Sequence, residues 1–532
     1  MSSPTDLTPA PQENTGRSSF LVAAGIFLSR IFGLVRGRVF ANYFGLSWQA
    51  DAFTSALRIP NFLQNLLGEG VISASFIPVY AKLLAQEDEE EAGRVAGAIF
   101  SLLALLTSAL VLVGVLATPL LIDLIAPGFH DERRPLAIQL VRIFFPGIGL
   151  LVFSAWCLGI LNSHRKFFLS YVSPVIWNVT IIVALLVWGP SKAPSDLAVY
   201  AAWAYVAGSA LQFLVQLPTV LRLAPALRFA ITTLSDNVRV VVKNFVPVFV
   251  SRGVNQISAY VDTIIASYLP VGALAAIANA QILSTLPVSL FGMAISAAEL
   301  PAMSSALGNE QEVAETLRRR IAASTRRIAF FVVPSAAAFL ALGDVIAAAI
   351  FQTGVFTHSN SQYVWAILAG SAVGLVASTT SRLYSSAYYA LRDTRTPLRY
   401  AVIRVVLTTV LGYLCALPLP RLIGYPSWGA AGLTASAGLA AWLEFTLLRR
   451  GMERRIGRIP FPASYFGKLW FAAAMADAVG LGFQFFFHPR QPLVGALVIL
   501  LPYGIAYLIL TAMMDIDEAA AVRRRLFGFI KR

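Results

Sequence analysis

Arginines inside apolar runs are the first residues in this sequence that could do chemistry. Arg30, Arg36, Arg38, Arg58, Arg142, Arg252, Arg382 and Arg404 all fall within or at the ends of such runs. A guanidinium in hydrocarbon costs at least about 2.5–3.5 kcal/mol, so it reaches for the interface, a partner or a water-filled cavity. Snorkelling from helix ends accounts for Arg38, Arg142, Arg382 and Arg404. Arg30, Arg36 and Arg58 come instead from two neighbouring segments near the start of the chain. Like charges side by side need an anion or counter-charges between them, and the planar guanidinium fork suits the oxygens of a phosphate. The second segment supplies counter-charge. At 100° per residue, Asp51, Arg58, Asn65 and Glu69 fall within about 40° of one another on a helix, although Pro60 interrupts the run. Such a stripe either glues helices through ion pairs or lines an aqueous interior, and a net-basic interior points to an anionic substrate.

The elements that position these residues are membrane spans. The chain has 532 residues, 57% of them hydrophobic and 13% charged. Soluble domains run at about 45–50% and roughly 25%. A soluble globule, a disordered chain and a coiled coil are thereby excluded, and a polytopic membrane protein remains. Fourteen apolar runs follow one another, near 18–45, 50–82, 95–126, 136–162, 167–189, 196–220, 240–268, 272–306, 326–343, 361–391, 397–419, 428–448, 464–487 and 491–514. They are long, rich in Leu and Ala and without alternation, so helices satisfy their backbones in lipid. The second run would be about 50 Å long as one helix, against a hydrocarbon core of roughly 30 Å. It therefore tilts, kinks at Pro60 or projects into the cytosol. Two cysteines, Cys157 and Cys415, and four histidines make no metal-ligand spacing and no disulfide framework.

Charge placement sets the topology. Residues 1–17 are polar and lack the parts of a signal peptide, which reads as a disordered cytosolic tail. With that end inside, the cytosolic segments hold 28 Lys and Arg, including Arg318 to Arg320, Arg449 to Arg455 and Arg523 to Arg525. The outer loops hold 5: Arg133, Arg134, Lys192, Arg421 and Arg490. This bias fixes both termini inside. It also explains the net charge of +14 by attraction to anionic lipid headgroups, with no need of nucleic acid.

An internal repeat divides the chain. Ile72-Ser73-Ala74-Ser75-Phe76-Ile77-Pro78 matches Ile295-Ser296-Ala297-Ala298-Glu299-Leu300-Pro301, and the sequence from Ala126 to Phe129 faces that from Gln352 to Phe356. The offset spans six runs and preserves orientation. The expected fold is all-α, with about 14 transmembrane helices in two parallel six-helix lobes plus two C-terminal helices. The boundaries are 18–222 for the first lobe, 223–450 for the second, 451–514 for the added helices and 515–532 for a basic cytosolic tail.

Several motifs resemble a known family. LSRIFGLVRGRVFANYFG at 28–45 and QADAFTSALRIPNFLQNLLGEGVISASFIPVY at 49–80 are similar to the opening of the MurJ/MviN lipid II flippases. So are IAPGF at 125–129, LGILNSHRKF at 158–167, SPVIWN at 173–178, FQTGVFT at 351–357 and YYALRDTRTP at 388–397. The resemblance runs from about residue 18 to 515. It implies the multidrug/oligosaccharide-lipid/polysaccharide exporter fold in the inner membrane. It also implies that Arg30, Arg36, Asp51, Arg58 and Glu69 handle a lipid-linked pyrophosphate. Asp262, Asp393 and Thr409 match positions that could hold a coupling sodium ion in some members. The family implies no cofactor, a drive from the membrane potential or an ion gradient, and cell-wall synthases as partners. The chain departs from the pattern at Gln64-Asn65, where many members carry paired arginines. It departs again at Ala280-Gln281-Ile282-Leu283, where an Asp-Arg pair is usual.

The implied mechanism is alternating access. Arg30, Arg36 and Arg58 capture the pyrophosphate, the sugar-peptide head enters the lumen, and the prenyl tail follows a groove by the helices within 464–514. Export of another lipid-linked oligosaccharide or of drugs, and a transport-inactive scaffold, share the fold and stay open. No nucleotide-binding Gly-rich loop exists. The outer loops cluster only Asp123, Asp131 and Glu132, so there is no catalytic residue to name and no enzyme is expected. The charge bias has a direct consequence. In a background without Cys157 and Cys415, cysteines at 133 and 192 should react with a membrane-impermeant thiol reagent in intact cells. Cysteines at 319 and 454 should react only after the membrane is opened, and labelling of 319 in intact cells would reverse the orientation.

Overall fold

The computed structural model describes residues 15–228, 235–305, 309–460, 463–487, 491–520, 522 and 524. Residues 1–14 of the expected N-terminal tail, most of the basic tail beyond 520 and the Arg252 side chain lie outside the described residues. All regular elements among the described residues are helices. The first half contains α1 (Thr15–Phe44), α2 (Trp48–Leu67), α3 (Glu69–Ser75), α4 (Ile77–Ala85), α5 (Glu89–Leu116), α6 (Thr118–Ile125), α7 (Arg133–Ser163), α8 (Phe167–Trp188), α9 (Pro194–Leu223) and α10 (Asp236–Ser267). The second half contains α11 (Ala273–Pro287), a π-helical turn (Val288–Met293), α12 (Ala294–Ser304), α13 (Glu310–Ala341), α14 (Gly343–Phe351), α15 (His358–Val373), α16 (Leu375–Ala390), α17 (Arg395–Ala416), α18 (Pro418–Leu422), α19 (Gly429–Ile456), α20 (Ala463–Phe486) and α21 (Pro492–Met513).

Ten helices are long and apolar enough to cross a membrane, and two bent pairs, α13 with α14 and α15 with α16, raise the number to 12. The 30 residues of α1 and 32 of α10 also exceed the roughly 20 that a span needs. The described residues thus bear out an all-helical polytopic fold of about fourteen spans. Of the three ways the long second run could be accommodated, a kink at Pro60 is not the one seen. Pro60 sits inside α2, and the long second span breaks at Gly68 and again at Phe76. Gly68 accommodates the close Gln64 carbonyl, where a Cβ would collide.

The chain forms two compact units. The first comprises residues 1–39, 56–122 and 135–256, and the second 40–55, 123–134 and 257–532. Within the first, α7 is central, with 78% of its apolar window buried, whereas α5 buries only 22% of its own. Leu105, Leu112, Val113 and Leu116 on α5 remain exposed, as a lipid-facing surface requires. Trp156 on α7 is fully buried and donates its indole N–H to the Ala96 carbonyl at 3.1 Å.

Within the second unit, α13 carries Pro334, which lacks the N–H that would bond the Phe330 carbonyl. The Tyr507 hydroxyl of α21 donates to that carbonyl at 2.7 Å, and the Tyr503 hydroxyl donates to the Pro334 carbonyl at 2.6 Å. In lipid such a freed carbonyl needs an internal donor, so α21 is pinned to α13 by the chemistry of one proline.

The repeated motifs occupy matching places. Residues 72–78 follow the Gly68 break in α3 and α4, and 295–301 follow the π-turn in α12. The two Gly-Phe loops each follow a short helix, α6 or α14. The 43° bend between α15 and α16 falls at Gly374, which lies against Gly438 of α19; a Cβ on Gly438 would stand 2.7 Å from the Gly374 nitrogen. Gly438→Leu should therefore lower thermal stability by about 1–3 kcal/mol, the ordinary penalty of overpacking. Gly467→Leu, on a position with nothing within 4 Å, should leave the melting temperature unchanged. Equal melting of the two variants would refute this close helix crossing.

Candidate functional site

The first unit encloses a cavity of about 900 Å³. Its lining comes from α1, α2, α3, α7, α8 and α9, and its polar side chains are mostly carboxamides and hydroxyls. On α2, Asn61, Gln64 and Asn65 reach it at helical spacing. Asn178 on α8 and Gln212 on α9 face them across the space. Glu69, at the start of α3, is the one charged residue in the lining among the described residues.

Hydrogen bonds fix the far wall. Gln216 of α9 is 1% exposed and donates to Ser154 of α7 at 2.7 Å and to Ser173 of α8 at 2.8 Å. Gln212 donates to the same Ser154 at 3.0 Å. A buried network of this kind is stable only when its donors are used, and it locks three helices in register. Tyr205 donates its hydroxyl to Asn61 at 3.4 Å, tying α9 to α2.

The expected cations stand around this cavity rather than in its lining. The Arg36 guanidinium lies over the Trp177 ring at 4.5 Å, and Trp177 is itself a wall residue. Arg36 is seven residues beyond Ser29 of the lining, about two turns along the same face of α1. Arg58 is three and seven residues before Asn61 and Asn65, on the same face of α2. Arg30 is exposed. Among the described residues, the lining in the first unit is thus amide-rich with a single carboxylate, and Arg36 and Arg58 of the expected net-basic set flank it.

Asp51 is placed elsewhere. It belongs to the second unit, 1% exposed, and accepts from the Gly272 N–H at 2.6 Å and the Ala275 N–H at 2.9 Å. Its carboxylate caps the start of α11, where free N–H groups and the helix dipole both favour an anion. Gly272 adopts φ +90 there, and a Cβ would stand 2.5 Å from the Leu46 carbonyl. Arg133 lies 3.9 Å from Asp51, over the Phe129 ring, and bonds Asp131 at 2.9 Å. The stripe from Asp51 to Glu69 is therefore divided: Asp51 is a cap in one unit, and Glu69 lines a cavity in the other.

Two loops reinforce this node. The Gly128 N–H donates to Ser267 at 3.0 Å, Thr353 donates to the Asn42 side chain at 2.9 Å, and the Val355 N–H donates to the Asn42 carbonyl at 3.0 Å. Each Gly-Phe loop of the repeat thus docks on the end of a helix that opens the other repeat, Gly128 on α10 and Val355 on α1. The neighbouring carboxylates are engaged as well. Arg134 bonds Asp123 at 2.7 Å and holds its carboxyl below the usual range. Arg133 does the same for Asp131.

The three residues expected to share a coupling ion are not gathered. Asp393 accepts from the Thr396 hydroxyl at 2.6 Å and from the Arg395 and Thr396 N–H groups, and pairs with Arg455. These contacts, the Thr396 hydroxyl first, hold its carboxyl at about 2. It caps α17. Thr409 lies sixteen residues on, about 24 Å along the same axis, and donates to the Val405 carbonyl. Asp262 is half-buried on α10. Arg404, read as snorkelling, is instead paired with Glu444 at 2.9 Å.

The second unit holds an apolar groove of about 440 Å³ between α11, the π-turn, α13, α14 and α21, with Leu286, Phe291, Phe331, Ala338 and Tyr503 among its walls. Where the Asp-Arg pair was missing in sequence, Gln281 is exposed and Leu283 joins this groove. Of the two sites, the sequence pointed to the polar one only through Asn65, Glu69 and the unusual Gln64. The partners on α8 and α9 carried no local signal, because they meet α2 only through tertiary packing.

Comparison with known proteins gives a consistent result. A family model described as lipid II flippase MurJ matches residues 40–502. The lipid II flippase MurJ of Burkholderia cenocepacia is 31% identical over 453 residues, covering 83% of this chain and 84% of that protein. A probable lipid II flippase MurJ of Vibrio cholerae is 29% identical over 480 residues, covering 88% of each. Among solved structures, a lipid II flippase MurJ in an inward closed conformation superposes with TM-score 0.75 at 24% identity, covering 93% of this chain and 100% of that one. An inward-facing multidrug transporter of the MATE family superposes with TM-score 0.63 at 16% identity, covering 82% and 98%. These two likenesses show the fold.

Proposed function

The chain belongs to the lipid II flippase MurJ family, and from that membership we infer that it carries lipid II from the inner to the outer leaflet of the cytoplasmic membrane. The observation that carries this reading is similarity sustained over residues 40–502. It is a multi-pass transporter, not an enzyme. Its termini face the cytosol, in keeping with the cation bias of the loops.

The two sites suit the two ends of such a substrate. The polar cavity of the first unit has room for a head group. The apolar groove beside α21 suits a prenyl chain, since its walls are almost wholly hydrocarbon. Arg30, Arg36 and Arg58 supply the cations for the pyrophosphate, each as a charge-assisted donor. The Asp51 node is the gate: its polar bonds, with the buried apolar contacts of Phe44, Phe53 and Phe129 around them, release residues 40–55 and 123–134 when access alternates. No cofactor takes part, and the membrane potential or an ion gradient drives the cycle.

The test is complementation of a bacterium depleted of its own MurJ. The wild-type chain should restore growth. Arg36→Ala or Arg58→Ala should abolish rescue at unchanged membrane abundance, since loss of a hydrogen bond to a charged group costs on the order of 1.5–3 kcal/mol. A wild-type chain present at normal abundance without rescue would refute the function, and full rescue by both variants would refute the cation roles.

A further inference from the structure

We propose that the amide-lined cavity of the first unit is a carbohydrate site, which binds the uncharged sugar of the substrate and leaves the pyrophosphate to groups outside its lining. This rests on the flippase reading for the identity of the lipid and on the cavity's own chemistry for the identity of the group bound.

Charge is the first argument. A pyrophosphate brought into this lining meets one charged residue among those described, the Glu69 carboxylate, and no cation. The carboxylate ends of a peptide fare no better. A hydroxyl-rich neutral group is different, because every hydroxyl both donates and accepts. Asn61, Gln64, Asn65, Asn178 and Gln212 line the space with carboxamides, each a carbonyl acceptor beside an N–H₂ donor, although the Asn178 and Gln212 N–H₂ groups and the Asn61 Oδ1 already serve protein partners. Such groups fix the orientation of an uncharged ligand within a pocket of about 300–1,000 Å³.

Unspent hydrogen-bonding capacity is the second argument. Asn178 is 4% exposed and uses its N–H₂ on the Pro174 carbonyl at 2.9 Å. Its Oδ1 has no hydrogen-bond partner among the described residues. Ser170 is 1% exposed, and its Oγ is likewise without one; so is the Trp177 Nε1. All three residues belong to α8 and line the cavity. Native interiors rarely leave buried polar atoms in this condition. Here an acceptor, a hydroxyl and a donor lie within nine residues on one wall, the pattern that a polyhydroxylated ring with an acetamido group would complete.

Preorganisation is the third. The Gln216 network holds Ser154 and Gln212 in place before any ligand arrives. Arg36 covers Trp177 and Tyr205 meets that ring edge-on at 5.0 Å, so the indole is fixed as well. Asn61, Gln64 and Asn65 make the α2 side of this lining uncharged.

The experiment uses the full chain in lipid nanodiscs and three probes: lipid II, a polyprenyl pyrophosphate without sugar, and the free N-acetylglucosamine disaccharide as competitor. The variant is Gln64→Leu with Asn65→Leu, at half-buried and exposed positions, and its melting temperature is checked against wild type. A second variant, Gln212→Leu, approaches the same site from α9. We expect each variant to bind lipid II at least tenfold more weakly while binding the polyprenyl pyrophosphate within twofold of wild type. The disaccharide should displace lipid II from the wild type only. Equal weakening toward both lipids, or none toward lipid II, overturns the sugar site while leaving the flippase reading standing. Wild type that binds the disaccharide but neither lipid supports the sugar site and removes the flippase reading.

Discussion

The carboxylate of Asp51, accepting two N–H groups at the start of α11, is the interaction on which the rest depends. A buried carboxylate is costly unless it is paired and fully bonded. Here the helix end supplies both donors and partial positive charge, and Arg133 lies close by. The chain leaves the first unit at residue 39, lends residues 40–55 to the second, and returns at 56. Residues 123–134 make the same excursion. The C-terminal end of α1 and the N-terminal part of α2 therefore belong to the second unit, and their cavity-lining parts to the first. The Asp51 bonds act together with the Asn42 and Gly128 bonds and with the buried side chains of Phe44, Phe53 and Phe129 in holding the two excursions.

The same economy appears in how the spans satisfy their backbones. Pro334 frees a carbonyl inside the membrane, and a tyrosine from α21 repairs it. That repair also forms one wall of the apolar groove, so a helix outside the twelve of the repeat becomes part of the working surface. In the first unit the corresponding role falls to carboxamides, which tie α7, α8 and α9 together and leave acceptors turned inward.

Much of the architecture could be read from the residues. Long apolar runs without alternation gave helices, their number is roughly consistent with the ten to twelve apolar spans among the described residues, and the repeat at 72–78 and 295–301 falls beside two of the places where spans break. The polar stripe of α2 was legible only in part. Its angular reckoning assumed one unbroken helix, but Gly68 ends α2 before Glu69, and the end of the helix bearing Asp51 packs with another unit. Arg404 could not be paired in sequence, because Glu444 is forty residues away on α19. Asp393 and Thr409, with Asp262, are matched to an ion site only through the family resemblance. Helix rise separates Asp393 from Thr409, and the cap of α17 occupies the first.

The proposed gate is tested most directly by tethering it. In a chain without Cys157 and Cys415, cysteines at 42 and 353, whose native side chains share a hydrogen bond, can be joined by a short cleavable thiol crosslinker. The measurement is movement of lipid II across vesicles containing the purified protein. Movement should stop when the two positions are joined and return when the linker is cleaved. Movement at the untethered rate with the linker intact would show that residues 40–55 need not leave the second unit, and would contradict the role assigned to Asp51.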